Sequence, residues 1–241
     1  MRKLKKLRDR GLIKNLIKNW SKKRRSIQLS YISILLLCGF AIAGLALWGF
    51  WEIAENVFSQ ETQTLDTAVS QAVYAIHTPW LTQIAIAATT LGEPVLLFAL
   101  SIMMSVALLF RRQWIDAIAW AVNAIGATGL NFWLKHLFAR DRPALWERIV
   151  EVDFYSFPSG HAMISLAIYG FLGYWLAKRF PARWKLIASL TTILIFAIGF
   201  SRLYLGVHWL TDIAAGYAAG LVWLMACLLG MEMAHSRYLK R

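Results

Sequence analysis

Three short clusters in this chain hold residue types that together suit a tetrahedral oxyanion. They are Lys135 with Arg142-Pro143, then Pro158-Ser159-Gly160-His161, then Ser201-Arg202 with His208 and Asp212. Lys135, Arg142 and Arg202 are cations. A guanidinium grips two phosphate oxygens at once, and an ammonium adds a point charge. Ser159 suits the N-cap of a helix and can donate its hydroxyl. The backbone N–H groups of Gly160 and His161 would sit at the positive end of that helix, where phosphate binds readily. His208 and Asp212 are four apart at a helix start, so they face the same way. The carboxylate then fixes one ring nitrogen and leaves the other free to attack. His161, across the anion, is placed to protonate a departing oxygen.

Each cluster alone has a bland reading. Pro-Ser-Gly-His is a sound cap and turn, a single Lys or Arg at a helix end is usually a snorkelling anchor, and a single helical His is usually a hydrogen-bonded core residue. His77 and His136 lack partners of the kind above and take that last reading. Arg140 and Asp141 read as a loop pair or as a support for Arg142. It is the convergence of three cations, two histidines and a carboxylate that calls for one site.

The elements that must position these residues are apolar helices. Of the 241 residues 59% are hydrophobic, with a mean hydropathy of +0.51, too apolar for an ordinary soluble domain. Six membrane spans are expected, at Ser26–Trp51, Pro94–Phe110, Trp114–Phe138, Gly160–Ala177, about Lys185–Phe200 and about His208–Met231. Ser26–Trp51 carries no charge and continues past the small residues near Ala43, as a retained anchor does rather than a cleaved leader. Between the first two spans, residues 52–92 carry acidic side chains and no Lys or Arg. There Leu65, Ala68, Val69, Ala72, Val73 and Ile76 fit one helix face, and a second stretch from Pro79 to Leu91 is too short for a comfortable span. Both read as interfacial helices over an outer mouth. The fold expected is all-α, one compact bundle over residues 26–241, preceded by a basic segment at 1–25. That segment is either an amphipathic helix on an anionic leaflet or a basic tail that sets topology.

Charge placement orients the bundle. With both termini in the cytoplasm, 21 of the 26 Lys and Arg fall inside, leaving Lys135, Arg140, Arg142, Arg148 and Arg202 outside. All three clusters then lie on the outer face. The same asymmetry accounts for a net charge of +13 without a nucleic-acid partner. Cys38 and Cys227 both fall in apolar runs and read as small buried hydrophobes, not a disulfide or a metal pair.

Lys135-x6-Arg142-Pro143, Pro158-Ser159-Gly160-His161 and Ser201-Arg202-x5-His208-x3-Asp212 resemble, in order and spacing, the three-part signature of the type-2 phosphatidic acid phosphatase superfamily. Within it the chain is most similar to bacterial members of the phosphatidylglycerophosphatase B type. The resemblance implies a metal-independent, cofactor-free phosphatase of the bacterial cytoplasmic membrane, acting on a membrane lipid phosphate through a phosphohistidine. It implies His208 as nucleophile, Asp212 as its orienting partner and His161 as acid and then base. Lys135, Arg142, Ser159, Gly160, His161 and Arg202 would hold the phosphoryl oxygens. Substrates implied are phosphatidylglycerol phosphate, phosphatidic acid, diacylglycerol pyrophosphate and undecaprenyl pyrophosphate, the first two favoured narrowly. Two rivals remain at this stage. A metal hydrolase would use His161, His208 and Asp212 as ligands, against the repulsion of three cations. A transporter or channel for anionic lipid or phosphate would use the same cations, but has no need of a histidine–carboxylate pair. Neither a soluble partner nor an oligomeric state is implied.

Overall fold

The computed structural model describes residues 36–146, 149–150, 152 and 154–238. The basic segment 1–25, the start of the first expected span and Arg148 lie outside the described residues. The chain divides into two compact units, Met1–Ala41 and Ile42–Arg241. Of the first, residues 36–41 are described, and they are helical; Cys38 there is exposed, not buried as expected, whereas Cys227 is buried.

Every regular element among the described residues is a helix: α1 Leu36–Phe58, α2 Gln63–Tyr74, α3 Pro79–Leu91, α4 Pro94–Phe110, α5 Trp114–Phe138, α6 Gly160–Arg179, α7 Trp184–Tyr204 and α8 Leu210–Tyr238, with a 3₁₀ turn at Pro181–Arg183. Five of them, α1 and α5 to α8 (the last turn of 3₁₀ counted with α7), are individually long and apolar enough to cross a membrane. The sixth span arises if α3 and α4, bent by 43° at their junction, count as one. The all-α membrane bundle is as expected, but its limits move. α1 runs past Trp51 through Glu52 and Glu55 to Phe58, α7 reaches Tyr204, and α8 begins after His208 and extends beyond Met231. Charge-free runs mark the hydrocarbon zone, whereas helices continue into the headgroup layer where Glu and His are solvated.

Large apolar side chains turned outward confirm a lipid-facing surface. Val95, Phe98 and Phe110 of α4 are 80%, 67% and 86% exposed, and Leu45, Trp48, Ile125, Ile193 and Phe196 are likewise exposed. A water-soluble surface does not carry such a belt.

Inside, α6 is the central helix, with buried residues all round it: Ala162, Met163, Ile164, Ser165, Ala167, Ile168, Phe171 and Gly173. It packs on α4, α5 and α8 through Leu97, Trp120, Phe171, Leu224, Leu228 and Met231. Its closest approach is to α8, where Asp212, Gly216 and Gly220 fall on one stripe at a spacing of four. A Cβ at Gly216 would lie 2.7 Å from the Ser159 carbonyl oxygen, and one at Gly220 would lie 2.7 Å from that of Met163. Two backbones can meet this closely only over glycine. Gly220→Ala should therefore lower stability by about 1–3 kcal/mol, because backbone cannot yield as a side chain does. Gly129→Ala, where no atom of the described residues lies within 4 Å, should be neutral or stabilising by up to about 1 kcal/mol. Thermal unfolding of the purified variants in detergent compares the two.

At the other end of the helices the charges pair among themselves. Glu232 accepts from Tyr174 Oη at 2.9 Å and from Lys178, and Asp116 lies 3.5 Å from His235 Nε2.

Candidate active site

α5 delivers Lys135 in its last turn. Ala139 then takes a left-handed conformation, φ 45°, with its N–H bonded to the Lys135 carbonyl at 3.0 Å, and the chain turns back over the helix ends. Buried Ser156 staples this return: its N–H reaches the Arg140 carbonyl at 2.8 Å, and its hydroxyl reaches those of Arg140 and Asp141. Phe157 packs against the tilted ring of Phe50 and meets Phe138 edge to face. Ser159 caps α6, its Oγ accepting from Ala162 N at 3.5 Å, while its own N–H donates to the Asp212 carbonyl at 2.9 Å. The start of α6 is thereby fastened to the start of α8.

All eight site residues expected from sequence lie at this one end of the bundle. His208 and Asp212 are 2% and 0% exposed, with Nδ1 3.2 Å from Oδ2. The other ring nitrogen, Nε2, lies 3.3 Å from Arg142 Nη1. A guanidinium only donates and a carboxylate only accepts, so these neighbours set the proton on Nδ1 and the lone pair on Nε2. Burial, followed by the cations Arg142, Arg202 and Lys135, pushes His208 well below the ordinary histidine range. The ring is thus neutral at neutral pH.

Backbone carbonyls hold the cations together. Arg142 donates to Val207 O at 2.8 Å, Phe154 O at 2.9 Å and Tyr155 O at 3.3 Å, and Lys135 Nζ donates to the same Tyr155 carbonyl. Arg202 is 3% exposed. Its Nη1 donates to Thr89 Oγ1 at 2.7 Å, and its buried Nε has no hydrogen-bond partner among the described residues. Gly160 faces Asn131 and Lys135: a Cβ there would lie 2.9 Å from Asn131 Oδ1. His161 lies beside Glu93, its Nε2 3.5 Å from Oε1, within ion-pair range but without a hydrogen bond to it.

Arg140 departs from the sequence reading. It neither pairs with Asp141 nor braces Arg142. Nη1 donates to Asp212 Oδ1 and Thr211 Oγ1 at 2.7 and 2.8 Å, and Nη2 donates to Asp66 Oδ2 at 2.7 Å. Asp66, fully buried, also accepts from the Thr211 N–H at 3.0 Å and hydroxyl at 2.6 Å. A cation bridging two buried carboxylates offsets part of their desolvated charge and binds one oxygen of each. The consequence for α2 is a different inward face: Asp66, Ser70 and Val73 are buried, while Leu65 and Ile76 of the expected apolar face are half exposed. Near an interface the apolar stripe can face lipid, and an unpartnered acid on the other stripe was the available signal. Thr89 and Glu93 gave less, since a Thr and a Glu flanking a helix junction are ordinary there. His77 sits in an aromatic cluster with Tyr74, Trp146 and Tyr204. His136 is hydrogen-bonded to Phe132 O at 2.8 Å but exposed, not in the core.

Membrane-length helices that bring cations, two histidines and a carboxylate to one end define a multi-pass integral membrane protein. A family model described as the PAP2 superfamily matches residues 116–236, and the chain belongs to that superfamily. It is 31% identical over 176 residues to phosphatidylglycerophosphatase B of Bacillus subtilis, covering 72% of this chain and 86% of the relative. To the putative undecaprenyl-diphosphatase YbjG of Escherichia coli it is 32% identical, over 51% of this chain and 59% of that one. Among solved structures, the PAP2-type phosphatidylglycerolphosphate phosphatase of Bacillus subtilis superposes with a TM-score of 0.73 at 27% identity, covering 83% of this chain and 98% of that one. LpxE of Aquifex aeolicus shares the fold, with a TM-score of 0.57 at 23% identity over 68% of this chain and 94% of that one.

Proposed function

We infer that this protein hydrolyses the phosphomonoester or terminal pyrophosphate of a membrane lipid through a phosphohistidine. The observation that carries the reading is His208, held by Asp212 on one nitrogen and presenting the other to Arg142 in a buried, cation-lined site. Nε2 of His208 attacks phosphorus, the P–O bond to the lipid breaks, and its electron pair leaves with the oxygen, which takes a proton from His161. Water, deprotonated by His161, then cleaves the N–P bond. Lys135, Arg142, Arg202, the Ser159 hydroxyl and the N–H groups of Gly160 and His161 balance the phosphoryl charge. Phosphoryl transfer is catalysed mainly by such positioning and charge stabilisation.

The reaction runs without a metal. Asp212 already accepts from His208, Trp209 N and Arg140. The bias of basic residues supports cytoplasmic termini and a site opening to the extracytoplasmic leaflet of a bacterial cytoplasmic membrane. Phosphatidylglycerol phosphate and phosphatidic acid are the favoured substrates, in line with the name of the 31% identical Bacillus relative. Purified protein in detergent, with chelator present, should release phosphate from these lipids and yield an acid-labile phosphoenzyme in a rapid quench. Loss of all release on chelation would refute the metal-free route, and release without a trapped phosphohistidine would refute the intermediate.

A further inference from the structure

The junction between α3 and α4 forms a wall of the site that the three motifs do not supply. Thr89 holds Arg202. Gly92 packs on His161 so closely that a Cβ would lie 2.8 Å from the ring's Cδ2. Tyr169 Oη bonds the Leu91 carbonyl at 2.8 Å, fastening the end of α3 to α6. Glu93 follows at the N-cap of α4, ahead of Pro94, yet its side chain makes no capping hydrogen bond. Its Oε1 lies 3.5 Å from His161 Nε2 instead, and it is 48% exposed, against 11% for the histidine. This carboxylate is therefore not consumed in folding. One side meets His161 and the other is open.

The position matters because of what leaves. In an in-line displacement the departing oxygen lies opposite the attacking Nε2 of His208, on the side of His161. Glu93 then borders the departing group. Toward an alcohol, a carboxylate is an acceptor for neighbouring hydroxyls. Toward a second phosphate, it is a like charge at close range. We propose that Glu93 is a specificity-determining residue, favouring lipid monophosphates, which leave as alcohols, over lipid diphosphates, which leave as phosphate monoesters. The inference rests on the phosphatase reading of the same site. It narrows the substrate class in a superfamily whose members matched here are named for both kinds of substrate.

Phosphatidic acid and diacylglycerol pyrophosphate of identical acyl composition isolate the effect, since they differ in the departing group and not in the chains. With full-length protein in detergent, the ratio of kcat/KM for monophosphate over diphosphate should fall about tenfold or more in Glu93→Gln, and Glu93→Asp should retain part of the preference. A purely structural role would lower both lipids alike, and an unchanged ratio or a shift toward the monophosphate would overturn the proposal. Absence of release from either lipid by the wild-type protein would instead refute the phosphatase reading. Should Glu93→Gln not survive purification, inhibition of the wild-type protein decides. Inorganic pyrophosphate should inhibit less well than phosphate at matched ionic strength, and stronger inhibition by pyrophosphate would count against the carboxylate.

Discussion

His208→Ala should reduce phosphate release by at least about 10⁴-fold, the scale on which a covalent catalyst loses rate with its nucleophile. The fall should be in kcat, with lipid binding little changed, because Lys135, Arg142 and Arg202 remain in place. Retained turnover would remove His208 from the nucleophile's role. The same residue carries a pH expectation. Burial and neighbouring cations disfavour its charged form, so protonation of the nucleophile should begin only well below pH 6.5. Nitrogen-15 NMR of histidine-labelled protein in micelles, with His208 assigned by its loss in the alanine variant, should show a neutral Nδ1–H tautomer at pH 6.5. A charged ring at that pH would contradict the geometry.

Arg140→Ala should be as damaging by another route. It strips the cation from between Asp66 and Asp212, both fully buried, and removing one partner of such a cluster costs about 3–5 kcal/mol. Turnover should fall with stability, because Asp212 then lacks one of the bonds that aim it at His208. Adding Asp66→Asn removes one of the stranded charges and should recover part of the stability. A single variant as stable as wild type, or a double variant no better than the single, would show that Arg140 is not the keystone of this cluster.

The two expectations differ in how they could have been reached. His208 and Asp212 are readable because a spacing of four on a helix brings two residues together wherever the helix goes. Ser159 and Gly160 are readable because capping chemistry is local. Arg140 is not readable in that way. Its partners are 74 residues before it and 72 after it, and only the packing of α2 against the start of α8 introduces them. The burial of Asp66 could not be inferred from the apolar face of α2, since near lipid an apolar face need not turn inward. Five spans followed from hydropathy, whereas the sixth, expected at Pro94–Phe110 alone, reaches spanning length only together with Pro79–Leu91 across a 43° bend. The ends did not follow, because a helix does not stop where its hydrocarbon zone does. The bend at Gly92-Glu93 was foreshadowed by Pro94, whose ring disfavours helical backbone in the residue before it. Nothing in the spacing said that this corner would lie against His161.

Where α6 and α8 touch, they touch backbone to backbone, through Gly216 under the Ser159 carbonyl and Gly220 under that of Met163. Such a seam works as a detent. Sliding one helix along the other by a fraction of the helical pitch of about 5.4 Å would carry Gly216 and Gly220 off these carbonyls and press residues that bear a Cβ toward a space that admits only hydrogen. His161 and Asp212 ride on opposite sides of that notch. Their separation is thereby set by the pitch of two interlocked rods, and it does not depend on how the loops above them settle.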